Sequence, residues 1–258
     1  MKCLVLLKEV PNVASIRIDP ETFTVDRDNV INILDPADLN AIEAALTVAS
    51  GPDDETVAMS MGPESADAVI RTAIAMGIKK GVRITDDAFA GADSLVTATV
   101  LKAAIDKEGP FDVIFCGAHS VDGATGQIAG KLGAMLGIGT LTRASKIDTE
   151  DGGLRIQRKA GGGYEELSAS FPLICSVTED LNKPRKQTMK GKSAAKKAVI
   201  EVLTNGELAI PADQLVSPSR VVALFPPMRK EGGEELTGST DIEKADNLVD
   251  VLMNNHLI

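Results

Sequence analysis

Short apolar β-like runs alternate along this chain with stretches whose apolar residues recur at helical spacing, and no other feature restricts the fold as strongly. The β-like runs are Lys2–Leu7, Glu55–Met61, Val82–Thr85 and Asp112–Cys116, and the helical stretches are Leu39–Ala49, Glu64–Met76 and Ser94–Asp106. Strands that alternate with helices of this length are typical of a parallel sheet covered on both faces. We therefore predict an α/β fold with helices on both faces of a parallel sheet.

Two segments depart from this alternation and predict antiparallel pieces. Ser15–Ile33 alternates apolar and polar residues as a β-hairpin does. Leu154–Arg158 and Glu165–Ala169 form a second candidate pair, because glycines separate them. The run Pro172–Val177 follows and is apolar enough to be a buried strand.

The C-terminal part of the chain differs in composition from the rest. Ser217–Gly238 is rich in proline and glycine, so we expect an extended arm with little regular structure. A capping box at Thr240 and Glu243 predicts a terminal helix. The apolar stripe of this helix consists of Ile242, Ala245, Leu248, Val249 and Leu252. We therefore divide the chain into an α/β domain, 1–216, and an arm with a helix, 217–258. The stripe must be buried against its own domain or against another subunit.

The chain is acidic, with 27 lysines and arginines against 37 aspartates and glutamates and a formal net charge of −10. This charge repels the phosphates of nucleic acid and argues against DNA or RNA as a partner. Cys3, Cys116 and Cys175 lie in apolar runs, where cysteine packs as a small hydrophobe, and this favours a reducing cytoplasm. We expect no leader peptide and no membrane span, which needs roughly 18 apolar residues. His119 and His256 are the only histidines, which excludes a site with three or more histidine ligands. No cluster of cysteines and histidines has the spacing of metal ligands, so we expect no metal site.

The clearest candidate site is a β-like run that leads directly into a loop of small and polar residues, Gly117–Gln127. Its glycines, which allow the backbone to approach a bound group closely, are Gly117, Gly123 and Gly126. Ser120, Thr125 and the free amides at the start of the following helix, Gln127–Leu136, can donate hydrogen bonds to an anion. A phosphate or pyrophosphate is the natural ligand, although an ordinary glycine-rich turn has the same pattern.

Ligands of parallel sheets bind beyond the carboxyl ends of the strands. The segments expected at that edge are Leu6–Lys8, Met61–Pro63, Asp86–Asp93 and Gly117–Gln127. Nearby, Asp35 is placed to cap a helix whose first residue is Pro36, and Asp38 lies in its first turn. From spacing alone, simple capping explains both acids better than ligand binding does.

The segment Asn182–Lys197 contains seven basic residues and no acid. Runs of like charge repel one another and stay exposed, so a solvated loop accounts for the segment. A docking surface for an acidic partner accounts for it equally well.

Several motifs together resemble one known family over essentially the entire chain, the β subunit of electron-transferring flavoproteins. The matching elements are Leu7–Pro11, Asp35–Asp38, Met61–Pro63, Arg71–Gly77, Gly117–Gln127 and Asp180–Arg185. Each motif alone is weak, but their order and spacing are specific. The resemblance implies a Rossmann-like adenine-nucleotide-binding domain. It also implies pairing with a larger α subunit that carries its own FAD on a mobile domain.

In the family the nucleotide lies along the edge described above. The resemblance therefore places cofactor contacts at Leu6, Asp35, Pro36, Ala37, Asp38, Met61, Gly117, Ala118, His119, Ser120, Val121, Asp122, Gly123, Ala124, Thr125, Gly126, Gln127 and Ile128. Members of the mitochondrial type hold AMP there as a structural ligand. Relatives of the electron-bifurcating and nitrogen-fixation-associated type hold a second FAD instead.

The segment 86–97 resembles the second type, as does Met189–Lys192, so we favour FAD over AMP. The residues of that segment expected beside the added flavin are Phe89, Gly91, Ala92, Asp93 and Thr97.

Departures from the family pattern weaken the phosphate site. The family usually has a basic residue and glutamine at the positions of Ala118 and His119, an acid at Ala124, asparagine at Asp35 and proline at Gly130. Loss of the basic side chain removes a phosphate partner, and Asp35 adds negative charge, each at a cost of about 1 kcal/mol or more of binding. Backbone amides must then hold more of the pyrophosphate, while His119 could replace glutamine or simply be solvated.

The resemblance implies an electron-transfer subunit that, with the α subunit, passes electrons between NADH or an acyl-CoA dehydrogenase and another carrier. In the bifurcating form, one electron would go to a low-potential acceptor such as ferredoxin or flavodoxin. We expect no catalytic side chain, because flavin does the chemistry. The family's recognition loop would place Met189 at the partner, flanked by Lys186, Lys190 and Lys192.

Two alternatives remain open. One is a β subunit that binds AMP structurally, so that only the α-subunit FAD is redox-active. The other is a stand-alone nucleotide-binding regulator or ATP-using enzyme. This chain has no phosphate-loop lysine motif to support that alternative, and the alternative leaves the arm unexplained.

Overall fold

The computed structural model describes residues 1–12, 31–219, 222, 232–233 and 235–258. It divides into two compact units, Met1–Arg220 and Val221–Ile258. The hairpin expected at Ser15–Ile33 and much of the expected arm lie outside the described residues. Of the first, only residues 31–33 are described, and the strand Asn32–Leu34 pairs in antiparallel fashion with Glu9–Pro11, which precedes the predicted hairpin.

The described strands fall into a large sheet, a three-stranded sheet and a two-stranded ribbon. They are β1 Lys2–Leu7, β2 Glu9–Pro11, β3 Asn32–Leu34, β4 Glu55–Met61, β5 Lys80–Ile84, β6 Val113–Gly117, β7 Gly139–Ala144, β8 Lys146–Glu150, β9 Gly153–Ala160, β10 Gly163–Ser170, β11 Leu173–Val177 and β12 Ile200–Leu203. The large sheet has seven strands in the order β12-β5-β4-β1-β6-β11-β7. All of its pairings are parallel, which confirms the predicted sheet.

Helices cover both faces of the large sheet, as predicted. The described helices are α1 Pro36–Val48, α2 Asp67–Met76, α3 Ser94–Glu108, α4 Ile128–Leu136, α5 Met189–Lys197, α6 Asn205–Leu208 and α7 Asp241–Asn254. One buried cluster packs α1 and α2 on the sheet and includes Cys3 and Val5, whereas the other packs α3 and α4 and includes Leu4 and Leu6. The alternation within β1 follows from the two-residue period of a strand. A central strand buried on both faces must be apolar throughout, as β1 is.

The antiparallel pair predicted from Leu154–Arg158 and Glu165–Ala169 is confirmed as β9 and β10. Strand β8 was not predicted; it pairs with β9 and completes the three-stranded sheet. Its sequence is mostly polar and its residues are at most half-buried, so it lacks the apolar signal of a core strand.

The solvated loop expected within Asn182–Lys197 is wrong for its second half, which forms α5. Thr188 caps this helix by accepting a hydrogen bond from the Gly191 amide at 2.9 Å. Arg71 of α2 donates to the carbonyl oxygens of Ala195 and Ala198 at 2.5 and 3.2 Å. A cap and packing on α2 therefore form a helix that its charge pattern does not predict.

All three cysteines are free and buried, as their apolar context predicts. Burial raises the pKa of each thiol. Among the described helices, none is long and apolar enough to cross a membrane.

The second unit contains the predicted terminal helix, α7. The hydroxyl of Thr240 accepts a hydrogen bond from the Glu243 amide at 3.2 Å, which confirms Thr240 as the cap. The reciprocal bond of a capping box is wrong, because the Glu243 carboxylate accepts from the Ser239 amide at 2.7 Å instead of the Thr240 amide. Of the apolar stripe, Ile242 is 76% exposed and Leu248 is 43% exposed. The described residues of its own unit therefore leave this stripe largely uncovered.

Candidate functional site

A cleft of about 520 Å³ lies beyond the carboxyl ends of β1, β4 and β6. This volume falls within the usual range of about 300–1,000 Å³ for small-molecule sites. Each of the four segments predicted at this edge contributes residues to the lining. The starts of α3 and α4 also contribute to the lining, and they meet where the Ser94 hydroxyl donates to the side-chain oxygen of Gln127 at 2.9 Å.

Most of the residues that the family resemblance assigns to the cofactor line this cleft. They are Leu6, Asp35, Asp38, Met61, Phe89, Gly91, Ala92, Asp93, Thr97, Gly117, Ala118, His119, Ser120, Gly123, Thr125, Gly126, Gln127 and Ile128. The assigned residues outside the lining are Pro36, Ala37, Val121, Asp122 and Ala124.

The sequence analysis did not assign several residues that also line the cleft: Leu7, Lys8, Ser94, Leu101, Cys116, Ala129 and Ser219. Leu7 and Lys8 belong to a predicted edge segment, so proximity could have found them. Ser219 is far away in sequence, and no local pattern points to it.

Two buried carboxylates connect the loops around the cleft. Asp35 caps α1 by accepting from the Ala37 amide at 3.2 Å, and its other oxygen accepts from the Val121 amide at 2.9 Å. Asp38 accepts from the Lys8 amide at 2.7 Å and from the Gly117 amide at 2.9 Å. Capping therefore explains one of these four bonds. The others join α1 to the ends of β1 and β6 and to the loop after β6.

Burial raises the pKa of Asp38 to about 8, and the charge of Asp35 adds to this effect. The amides of Lys8 and Gly117 act in the opposite direction but are outweighed. Burial therefore disfavours the charged form of Asp38, whereas the hydrogen bonds from the two backbone amides favour it.

Gly117 has a different reason for being glycine than the one expected. A Cβ atom there would lie 2.8 Å from an oxygen of Asp38 and 3.0 Å from the Cβ of Ala37. The close neighbour of Gly117 is thus α1, whereas a bound group was predicted beside Gly117, Gly123 and Gly126. Gly126 has a φ of +61°, which glycine adopts without strain, so its role is to turn the loop.

The loop between β6 and α4 presents free backbone donors to the cleft. Within the described part of the chain, the amides of Thr125, Gly126 and Gln127 have no hydrogen-bond acceptor. They precede the first turn of α4, whose amides are also unpaired within the helix. Successive free amides at a helix start form a site for a phosphate, so the donors present fit the phosphate of a nucleotide.

At the mouth of the cleft Lys8 forms an ion pair with Asp122. The Lys8 Nζ lies 2.7 Å from an Asp122 oxygen and 3.3 Å from the hydroxyl of Ser120. Burial tends to raise the pKa of Asp122, but the hydrogen bond from Lys8 and its charge outweigh burial and lower it. Asp122 is therefore ionised at neutral pH.

The opposite wall of the cleft is held by Asp93. Its carboxylate caps α3 by accepting from the amides of Leu95 and Val96 at 2.9 and 3.0 Å. It also accepts from the hydroxyl of Ser219 at 2.7 Å. Nearby, Gly91 has a φ of +71° and faces open space. This wall is therefore rigid, and it leaves room beside Gly91.

The chain is similar to known proteins over most or all of its length. The sequence model of the electron transfer flavoprotein domain matches residues 22–208. The electron transfer flavoprotein subunit beta of Thermoanaerobacterium thermosaccharolyticum is 36% identical, and the alignment covers all of both chains. The chain therefore belongs to the electron transfer flavoprotein family as a β subunit, with a role in electron transfer, and the resemblance inferred from its motifs is confirmed.

Two further relatives have other names. The caffeyl-CoA reductase-Etf complex subunit CarD of Acetobacterium woodii is 33% identical over all of both chains. Protein FixA of Bradyrhizobium diazoefficiens is 35% identical over 78% of this chain and 72% of its own.

Proposed function

We propose that this β subunit binds FAD in the cleft and, together with an α subunit that carries a second FAD, transfers electrons between a donor and another carrier. The observation that carries the proposal is the run of free amides at Thr125–Gln127, which faces a cleft that continues to the wall at Gly91. The amides can donate hydrogen bonds to the pyrophosphate of FAD. The open space beside Gly91 can hold the part of FAD that lies beyond the pyrophosphate.

The walls of the cleft also suit a large planar ring. Leu6, Met61, Phe89, Leu101 and Ile128 give part of the cleft an apolar lining. A bound flavin would supply the redox chemistry, and this chain would hold it, orient it and set its electrostatic surroundings. We place NADH or an acyl-CoA dehydrogenase among the donors. Ferredoxin or flavodoxin is the low-potential acceptor if electrons are divided.

The segment around α5 fits a docking surface for a redox partner. Met189 at the start of α5 is 83% exposed. Its basic neighbours, all exposed, are Lys186, Lys190 and Lys192. A Cβ atom at Gly191 would lie 2.2 Å from the carbonyl oxygen of Ala75, so glycine allows α5 to pack tightly on α2 and hold Met189 in place. A flexible apolar anchor surrounded by cations suits an acidic partner such as the dehydrogenase.

The same surface is tied to the cleft through α1. Arg185 makes two hydrogen bonds to the carboxylate of Glu43, at 2.8 and 3.0 Å. Asn182 exchanges hydrogen bonds with Asn40 at 3.0 Å. Both partners lie on α1, the helix that also carries Asp38. This arrangement fixes the docking segment relative to the cofactor site.

The first prediction concerns the cofactor. The purified heterodimer should contain two flavins, counted from its visible spectrum and by mass after denaturation. Replacement of Thr97, which lines the cleft, by phenylalanine should lower the flavin content because the ring no longer fits. Thr99 lies two residues further along α3 outside the cleft, so Thr99→Phe is the matched control and should retain both flavins.

One flavin and one AMP in the unmodified protein, after expression with excess flavin, would contradict the FAD assignment. That result would favour the structural role of AMP. Turnover of ATP by the chain without a partner would instead favour the stand-alone enzyme.

The second prediction concerns the α subunit. Because α7 exposes Ile242 and Leu248, we expect its stripe, including Leu252, to be buried against that subunit. Removal of residues 221–258 should abolish co-purification, and Leu248→Ser should weaken it. Asp250→Ser, an exposed change on the same helix, is the control. Full recovery of the heterodimer after the truncation would show that the arm has another role.

The third prediction concerns docking. Met189→Ala should weaken electron transfer to the dehydrogenase at low partner concentration, because the anchor is lost while the flavin content stays the same. Val199 is 90% exposed beyond the other end of α5, so Val199→Ala controls for loss of any exposed apolar side chain. Equal transfer rates in both variants and the wild type would exclude Met189 as the anchor.

A further inference from the structure

We propose that Lys8 binds a phosphate of the nucleotide in the cleft. Until the nucleotide binds, the carboxylate of Asp122 pairs with Lys8 in place of that phosphate. The proposal rests on the proposed function, since it names a residue for the same site. Among the described residues that line the cleft, Lys8 is the single lysine or arginine. An anionic ligand therefore has one cationic side chain available to it in the lining.

The backbone of Lys8 is fixed from both sides. Its amide donates to Asp38 at 2.7 Å, and its carbonyl oxygen accepts from the Asp35 amide at 3.0 Å. The two buried acids thus hold the start of the side chain at the cleft edge. These bonds involve only main-chain atoms of Lys8, so replacement of the side chain should leave them intact.

The side chain of Lys8 points to the loop that presents the free amides. One oxygen of Asp122 accepts from Lys8 Nζ and from the Gly123 amide, both at 2.7 Å. A carboxylate oxygen that joins a lysine to a loop amide stands where a phosphate oxygen would be held in the same way. We infer that the carboxylate is a substitute for that oxygen.

A phosphate should readily replace Asp122 as the partner of Lys8. The side chains of Lys8 and Asp122 are 46% and 33% exposed, so water can solvate Asp122 once it is released. Exposed ion pairs contribute little to stability. A phosphate with more charge and more acceptor atoms than a carboxylate would therefore displace Asp122 from Lys8.

Titration of the nucleotide-free heterodimer with AMP and with adenosine tests the proposal. Lys8→Met should weaken AMP binding by about tenfold or more, because it removes a charge-assisted hydrogen bond. Adenosine has no phosphate, so its affinity should not change. Lys8→Arg should restore much of the AMP affinity.

Two controls separate this role from general effects of charge. Lys131 does not line the cleft and donates to the Ser94 hydroxyl at 2.7 Å, so Lys131→Met should leave AMP affinity unchanged. Asp122→Asn should bind AMP at least as tightly as the wild type, because the competing anion is gone.

The outcomes separate the role of Lys8 from the proposed function of the cleft. Wild-type AMP affinity in Lys8→Met would overturn the role of Lys8 and leave the nucleotide site standing. An Asp122→Asn variant that loses as much AMP affinity as Lys8→Met would overturn the exchange of partners. A wild-type heterodimer that binds neither AMP nor FAD would overturn the proposed function and this inference together.

Discussion

The buried pair Asp35 and Asp38 is the interaction on which the cleft depends. Between them these carboxylates accept hydrogen bonds from backbone amides at the ends of β1 and β6, in the loop that follows β6 and in α1 itself. Buried carboxylates need such partners, because an unpaired polar group in a low-dielectric interior is costly. The same bonds bring the separate segments of the cleft edge into one arrangement. The raised pKa of Asp38 shows that burial dominates its environment.

Preorganisation follows from this pair. The loop after β6 is held at Gly117 and Val121 before any ligand binds, and the amides further along it remain free. A site whose donors are already aligned does not spend binding energy on ordering them. The same helix, α1, also holds Asn182 and Arg185, so one element positions both the cleft and the segment that we propose as a docking surface.

Much of the fold follows from local sequence patterns, since apolar runs, helical spacing and caps are read directly from the chain. The alternation predicted the parallel sheet, and Thr240 with Glu243 predicted the start of α7. The helix α5 and the strand β8 could not be predicted in this way. The helix depends on a cap and on contacts with Arg71 and Ala75, which are distant in sequence, and the strand is largely polar.

In the cleft, too, some features could be predicted from the sequence and others could not. Its glycine-rich loop and its edge segments follow from the topology of a parallel sheet. The roles of single residues do not follow, because they depend on which atoms meet. Asp35 and Asp38 have the spacing of simple capping residues, but most of their hydrogen bonds reach other segments. Gly117 looks like a ligand contact but is required by α1, and Ser219 reaches the cleft wall from the start of the arm.

Hydrogen exchange of the ligand-free protein, followed by mass spectrometry, tests the role of the acid pair most directly. Asp35→Ala and Asp38→Ala should each speed exchange in the segment 117–127 and leave β4 protected, because the loop loses its attachment while the sheet keeps its own bonds. Asp122→Ala, which removes an acid from the same loop, should speed exchange at most at Gly123, whose amide donates to it. Unchanged exchange in 117–127 for both variants, or equal loss of protection throughout the sheet, would contradict the claim that these two carboxylates organise the cleft.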